Sequence, residues 1–462
     1  KRLVIPSNHH VNNRFGYGAS WRSSKARSRV IMKLRRFLIL IVTISMVALI
    51  GNVSEYKGRN GIYSDSYSEV ICPDIGGGTN LQVSLTNSSK LVRSLSRASV
   101  KMVPAKTTRI NSNSGSILVD GQGINSLAWI SRAGTWSGGL TCLSPQTQQY
   151  LVGASADVSS KSQLIFANSG LSSSTVDVTV FTDASASFKK SITVKKNQTA
   201  NLSVVSLAPG AKSVAFMVTP RTGRVATFLV DERGKGLQAL GGDIVNSQSD
   251  LSKTIYIPAI AHSADLEKTH VLRVLNPNAI RANISVELIS ADGRYVPLTL
   301  DNKNIASDRV MDLPFDVDSK NSAFALKITS DQPIAASVYS RVIKSGKQDF
   351  VWSSAVKPGA TGTWAITGLD PTLIIAGGAI KAEVQVLMPG GKKIGKRISA
   401  NDIYAYKIPS GALGLNIQSL SSDSAAALLV YSQSGAGYLP LINGSVLSRS
   451  TVPTANIGVL NP

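Results

Sequence analysis

The sequence predicts an all-β fold: tandem immunoglobulin-like β-sandwich units behind an N-terminal signal or anchor helix. Three observations predict it. Gly, Ser, Thr, Val and Ala are abundant, while long Leu/Glu/Lys/Arg runs are absent, a balance that favours strands and turns. Short alternating segments are separated by frequent turn residues, as in sandwich domains. One strand–turn–strand script also recurs three times along the chain.

At 462 residues the chain has room for about three domains of roughly 150 residues each. Its 43% hydrophobic and 16% charged content excludes a disordered chain, which needs low hydrophobicity and high charge density. Two cysteines exclude a disulfide-dense miniprotein and a thiolate zinc cluster, and four histidines leave little room for an imidazole metal site. No metal and no cofactor is implied.

The formal net charge of +22 is unevenly spread. Ten Lys and Arg and no acid fall within residues 1–36, leaving +12 on the rest. Met32-Lys33-Leu34-Arg35-Arg36 precedes an apolar run from Phe37 to Ile50, the pattern of a secretory signal. Fourteen helical residues span only about 21 Å, short of a ~30 Å hydrocarbon core. No clear small-x-small site follows Ile50, so residues 32–53 read as either a cleaved signal peptide or a transmembrane anchor. Charge asymmetry places the body outside in both cases. The expected location is therefore extracytoplasmic, secreted or held to the cytoplasmic membrane through residues 37–50. Met32 is the expected start. Residues 1–31 then read as an over-extended gene model; the alternative is that they belong to the chain as a short disordered basic tail.

Residues 54–160 form an irregular β segment expected to pack on the first unit, with a loose basic excursion at 86–115 carrying Lys90, Arg93, Arg97, Lys101, Lys106 and Arg109. Sandwich units follow at 161–250, 265–356 and 362–450, then a tail at 451–462. Cys72 and Cys142 both lie beyond the export signal, and an even count in an exported chain predicts one disulfide. Closing that loop is worth about 4 kcal/mol in the chain-entropy model.

The repeated script begins at Leu164 (LIFANSGLSSSTVDVTVF), Leu272 (LRVLNPNAIRANISVELI) and Leu373 (LIIAGGAIKAEVQVLM). Each reads as an apolar strand, a small-residue turn and an alternating strand. Hairpin turns follow at Thr182-Asp183-Ala184, Ala291-Asp292-Gly293 and Pro389-Gly390-Gly391, where Gly supplies the positive φ in the second and third. Period-two alternation places Val274, Ile284, Val286, Leu288, Leu326, Ile328 and Val338 in the core of the second unit.

Cys72-Pro73, Thr141-Cys142, Tyr150-Leu151-Val152-Gly153-Ala154, Ser206-Leu207-Ala208-Pro209-Gly210, Gly242-Asp243, Ile257-Pro258, Leu275-Asn276-Pro277 and Ser330-Asp331-Gln332-Pro333-Ile334-Ala335-Ala336 stand in an order that resembles an exported, membrane-anchored actinobacterial β-protein family of unknown function. The resemblance covers roughly residues 68–445. It implies a location and an architecture, and it carries over no catalytic residues.

Several constellations bear on chemistry. Gly390-Gly391-Lys392-Lys393-Ile394-Gly395-Lys396 approaches a phosphate-binding loop, but Arg397 stands where Ser or Thr is needed. It reads as a basic hairpin. His262 and His270, with Asp265 and Glu267 between them, fit no common zinc spacing and read as solvated residues of the linker Ala261–Thr269. The paired carboxylates Asp231-Glu232 and Asp316/Asp318 read as turn residues. No Gly-x-Ser-x-Gly elbow is present.

Trp129, Trp136, Trp352 and Trp364 divide between core packing and ligand contact. Trp352 and Trp364 are the candidate sugar platform. Lys392, Lys393, Lys396 and Arg397 are the candidate polyanion contact, since clustered charge attracts an anionic surface at long range. The expected function is a non-catalytic structural or interaction protein of the cell envelope. The alternative is a carbohydrate-binding accessory protein for envelope polysaccharide, and a cryptic hydrolase ranks third. Expected partners are anionic envelope polymers or polysaccharide. Nucleic acid fits the charge but not the location.

Overall fold

A computed structural model describes residues 35–46 and 69–444, with interruptions at 88–89, 96–100, 114, 121–122, 134, 237, 263–268, 318–322, 345–346 and 433–434. The leader up to residue 34, residues 47–68, the tail from 445, and Arg97, Asp265, Glu267 and Asp318 lie outside the described residues. Residues 35–46 are helical, with Phe37, Leu38 and Ile39 exposed. Among the described residues no helix is long and apolar enough to cross a membrane. The rest of the described chain is mainly β structure and falls in one compact body, Asp65–Arg449.

Two antiparallel four-stranded sheets follow residue 148. One runs in the order Gln198–Ser203, Gln163–Asn168, Val225–Lys235, Gln238–Val245. The other runs Phe188–Val194, Ser174–Thr182, Val214–Pro220, Gln149–Val152. Alternation along Val176-Asp177-Val178-Thr179-Val180 sends all three valines into a core shared with Leu164, Phe166, Phe216 and Leu229. Gln149–Val152, from before residue 161, thus shares a sheet with strands of the expected first unit.

The second unit is organised by one 22-residue strand, Ala323–Lys344. Its first half pairs with Ala282–Ser290 and Ser252–Ala261. Its second half pairs with Thr269–Asn276 and Lys347–Ser354. Pairing with Ser252–Ala261 slips between Thr329 and Ile334, where Pro333, lacking an N–H, is tolerated at an irregularity. All seven residues expected in this core are buried together.

The third unit uses Thr372–Leu387 similarly. It pairs with Ala425–Tyr431 at its start, Gly414–Leu420 at its end and Lys393–Lys407 along its length.

The repeated script has a physical basis in buried asparagines. Asn168 and Asn276 are each fully buried. The Asn168 amide donates to Ser172 O at 2.9 Å and Val194 O at 3.0 Å, and its carbonyl accepts from Gly170 N at 2.8 Å. The Asn276 amide donates to Ile280 O at 2.9 Å and Ile305 O at 3.2 Å, and its carbonyl accepts from Asn278 N at 3.1 Å. Both side chains hold the turn by which the chain leaves one sheet for the other. The third copy has Gly377 there, and the expected turn is absent. Strand pairing continues through a register shift between Ala376 and Ala379. Gly377 makes this possible, because a Cβ would stand 2.1 Å from the Ser424 hydroxyl.

The N-terminal β segment is sealed by the Cys72–Cys142 disulfide, at a sequence separation of 70. Its core includes Trp136 together with Ile165, Ala167, Phe228 and Val230 of the first unit. It also joins the third unit, since Ile124–Arg132 pairs in parallel with Gly362–Ala365. The excursion at 86–115 is not loose throughout. It contains Leu91–Ser94, Val103–Pro104 and Arg109–Ser112. Lys90 and Arg93 are buried, and the Arg93 guanidinium donates to Asn197 Oδ1 at 2.6 Å.

Candidate functional site

Four segments distant in sequence converge on a cleft of about 440 Å³. They are the stretch after Cys142, the connector between the first two units, the connector between the last two, and the chain after Pro440. Each is pinned by backbone pairing. Leu143 exchanges hydrogen bonds with Ile71, Gln248 with Tyr150, and Val356 with Tyr256. Ser144 N donates to Gly444 O at 2.7 Å. The Gln248 side chain brackets Ala336, donating to its carbonyl at 3.0 Å and accepting from its N–H at 3.4 Å. Carboxamides and hydroxyls dominate the polar lining, with Lys357 and Asp250 paired at 3.2 Å on the exposed rim. Such a lining can bind and orient a ligand through hydrogen bonds.

The basic hairpin is the second surface. Its turn at Pro389–Gly391 places Gly390 at φ 70° and Gly391 at φ 79°, conformations that favour glycine. Lys392, Lys393, Lys396 and Arg397 are all exposed. Arg397 pairs with Glu383 at 3.0 Å, so part of its charge is compensated. Lys396 lies 5.9 Å over the Tyr406 ring.

The expected sugar platform is overturned. Trp352 is 1% and Trp364 0% exposed, so neither presents a ring face to a ligand. The Trp352 indole N–H donates to Asp231 Oδ2 at 2.9 Å, and that of Trp364 to Ile442 O at 2.8 Å. Both are core residues whose polar edge is satisfied, the usual requirement for a buried indole.

Asp231 and Glu232 lie in the Val225–Lys235 strand rather than a turn. Both are buried, and Trp352, Ser162 and Arg233 satisfy Asp231 while Trp136 and Arg132 satisfy Glu232. Asp316 ends a strand, Arg309–Asp316. His262 and His270 are likewise not solvated. They are 6% and 2% exposed and hydrogen-bonded to each other at 3.1 Å beside Phe324. Burial and the neighbouring His262 push the His270 imidazole down to about 3, against the opposing charge of Asp316.

Asp243 and Asp349 carry no catalytic or binding motif in the sequence, although Gly242-Asp243 is part of the family-like pattern. Both are buried, and each keeps one carboxyl oxygen without a hydrogen-bond partner. Burial pushes Asp349 up to about 7, against N–H donors from Gly242, Phe350 and Ser137. Burial also raises Asp243 well above the carboxylate range, against N–H donors from Trp352 and Ile244, and the charges of Asp349 and Asp231 add to the rise.

A carboxyl raised in the folded state holds a proton that the unfolded chain has released. The resulting stability is present below about pH 4 and is lost as pH rises to 7. For Asp349, a rise from 3.8 to about 7 corresponds to roughly 4 kcal/mol. Asp349→Asn should therefore behave like the parent near pH 4 and gain stability at pH 8. Urea midpoints at both pH values check this, and an unchanged pH profile would refute it. His270 acts in the opposite direction, because its folded pKa is depressed. It removes stability as pH falls from 6.5 toward 3, and the substitution leaves that acid limb in place.

These sheets and surfaces define an all-β, disulfide-stapled protein. The chain belongs to a family of unknown function (DUF5719), whose sequence profile matches residues 125–403. No curated protein matches it. Among solved structures it is similar to the crystal structure of Thermotoga maritima 1070, with 14% identity over 22% of this chain and 92% of that one at a TM-score of 0.20. It is also similar to the tetra-tandem repeat in the extending region of a large adhesion protein, with 10% identity over 81% of this chain and 94% of that one at a TM-score of 0.09.

Proposed function

We propose that this chain is a non-catalytic, extracytoplasmic protein of the cell envelope that holds anionic envelope polymers on its basic hairpin. In this reading three tandem immunoglobulin-like units stand behind an N-terminal signal or anchor. The observation that carries it is the hairpin itself, where Lys392, Lys393, Lys396 and Arg397 are exposed together beside a turn. The +12 carried beyond residue 36 adds a long-range field of the same sign. The disulfide supports an oxidising compartment, and the Met32–Ile50 pattern supports export.

The test is co-sedimentation of residues 54–462 with anionic and neutral vesicles. Binding should favour anionic vesicles and fade toward physiological salt, where exposed charges are screened over about 8 Å. Replacing Lys392, Lys393, Lys396 and Arg397 with Gln should weaken it several-fold, with little change in stability. Equal binding to both vesicles, or binding insensitive to salt, would overturn the proposal.

A further inference from the structure

We propose that the junction cleft is a second binding site, separate from the basic hairpin, and that it takes a neutral, hydroxyl-rich ligand: a short run of glycan. Its volume of about 440 Å³ falls within the range of small-ligand sites. Its chemistry selects the class. The polar groups are carboxamides and hydroxyls, which can both donate to and accept from neighbouring ligand hydroxyls. Among the described lining residues the one cation, Lys357, is compensated by Asp250, so these residues carry no net charge with which to hold an anion.

Gln146 is 8% exposed, and its carboxamide oxygen has no hydrogen-bond partner. A buried acceptor left without a donor costs free energy. Rotation of this side chain toward the cleft lets it accept from a ligand hydroxyl. Pro358, half-buried on the cleft wall, adds apolar surface for the C–H face of a sugar ring.

An extended peptide fits less well. Peptide capture by strand addition needs an open backbone edge. Gln248 and Val356, one in each connector at the cleft, have already used theirs, each exchanging both backbone hydrogen bonds, with Tyr150 and Tyr256. Recognition is left to side chains, which suits hydroxyl groups better than a backbone ladder.

The experiment is calorimetric titration of the full chain with short neutral gluco-, galacto-, manno- and arabino-oligosaccharides, alongside an unstructured neutral peptide. At least one oligosaccharide should bind, with little sensitivity to salt. Ala360→Trp places an indole at a half-buried position on the cleft wall, and it should weaken binding about tenfold or more, a loss of at least ~1.4 kcal/mol. Gln146→Ala should weaken it too, and far-UV circular dichroism of both variants should match the parent. The variant neutralised at Lys392, Lys393, Lys396 and Arg397 should keep its glycan affinity, so failure here and failure of the hairpin proposal are read separately. The proposal falls if no oligosaccharide binds, if Ala360→Trp binds as the parent does, or if the peptide binds and the oligosaccharides do not.

Discussion

Arg273→Ala should destabilise the β body by about 2–4 kcal/mol, the loss expected when one partner of a mostly buried ion pair is removed and the other retains some solvent. Arg273 lies in the Thr269–Asn276 strand of the second unit and is 3% exposed. Its guanidinium grips Asp312 in a fork, Nε to Oδ1 at 2.6 Å and Nη2 to Oδ2 at 2.8 Å. The same group reaches into the first unit, donating to the carbonyls of Ala154 and, at 3.3 Å, Val214. It also lies 5.1 Å over the Trp352 ring. From the first unit, the Ser213 hydroxyl donates to Asp312 at 2.7 Å. Burial opposes ionisation of Asp312, but the Arg273 charge and the hydrogen bonds from Arg273 and Ser213 outweigh it and hold the carboxyl below its usual range. Truncation removes this donor at once from the Asp312 carboxylate and from three carbonyls, those of Ala154, Val214 and Lys212. Arg273→Lys should recover less than half of the loss, because an ammonium cannot reproduce the planar fork. Urea unfolding of the three proteins measures this, and a loss under ~0.5 kcal/mol for Arg273→Ala, the range of an ordinary surface change, would show that this contact does not lock the two units.

Local signals were legible where one face of a strand meets one core. The valines of Val176–Val180 and the apolar set of Ile284–Leu288 point inward as their alternation requires. The glycine turn at Gly390-Gly391 closes the expected hairpin. Long-range features were not legible. Ser330-Asp331-Gln332-Pro333 carries turn residues, yet the Ala323–Lys344 strand runs through it because each half has its own sheet to pair with. Asp231 and Glu232 look like a turn until Trp352 and Trp136, more than 90 residues away in sequence, supply their indole donors. The same remoteness hid the cleft, whose walls come from four segments joined only by tertiary contact. Residue type alone could not separate a stacking tryptophan from a core one, and burial decided for the core.

Val286→Asp should abolish the cooperative fold of the second unit. Val286 is fully buried, paired opposite Ile328 of the Ala323–Lys344 strand and packed in one cluster with Ile284, Leu288, Leu326 and Val338. The substitution forfeits about 2 kcal/mol of apolar burial. It also places a carboxyl where no partner waits, adding several kcal/mol whether the group ionises or is forced to stay protonated. The sum approaches the ~5–15 kcal/mol that holds a typical domain together. Ser285→Asp is the control. Ser285 points outward on the same strand and should shift stability by no more than ~0.5 kcal/mol. The contrast between adjacent positions reads the register directly, because a slip of one residue exchanges inward for outward side chains. Loss of the second unit should also expose its neighbours. Leu275 and Ala335 share a cluster with Tyr150 and Phe181 of the first unit, while Val342 and Val351 share one with Ile374 and Leu429 of the third. Proteolysis of Val286→Asp should therefore cut beyond residues 252–356, into the units on either side. A variant that melts with the parent, or whose cleavage stays within 252–356, would show that the register or the coupling between units is wrong.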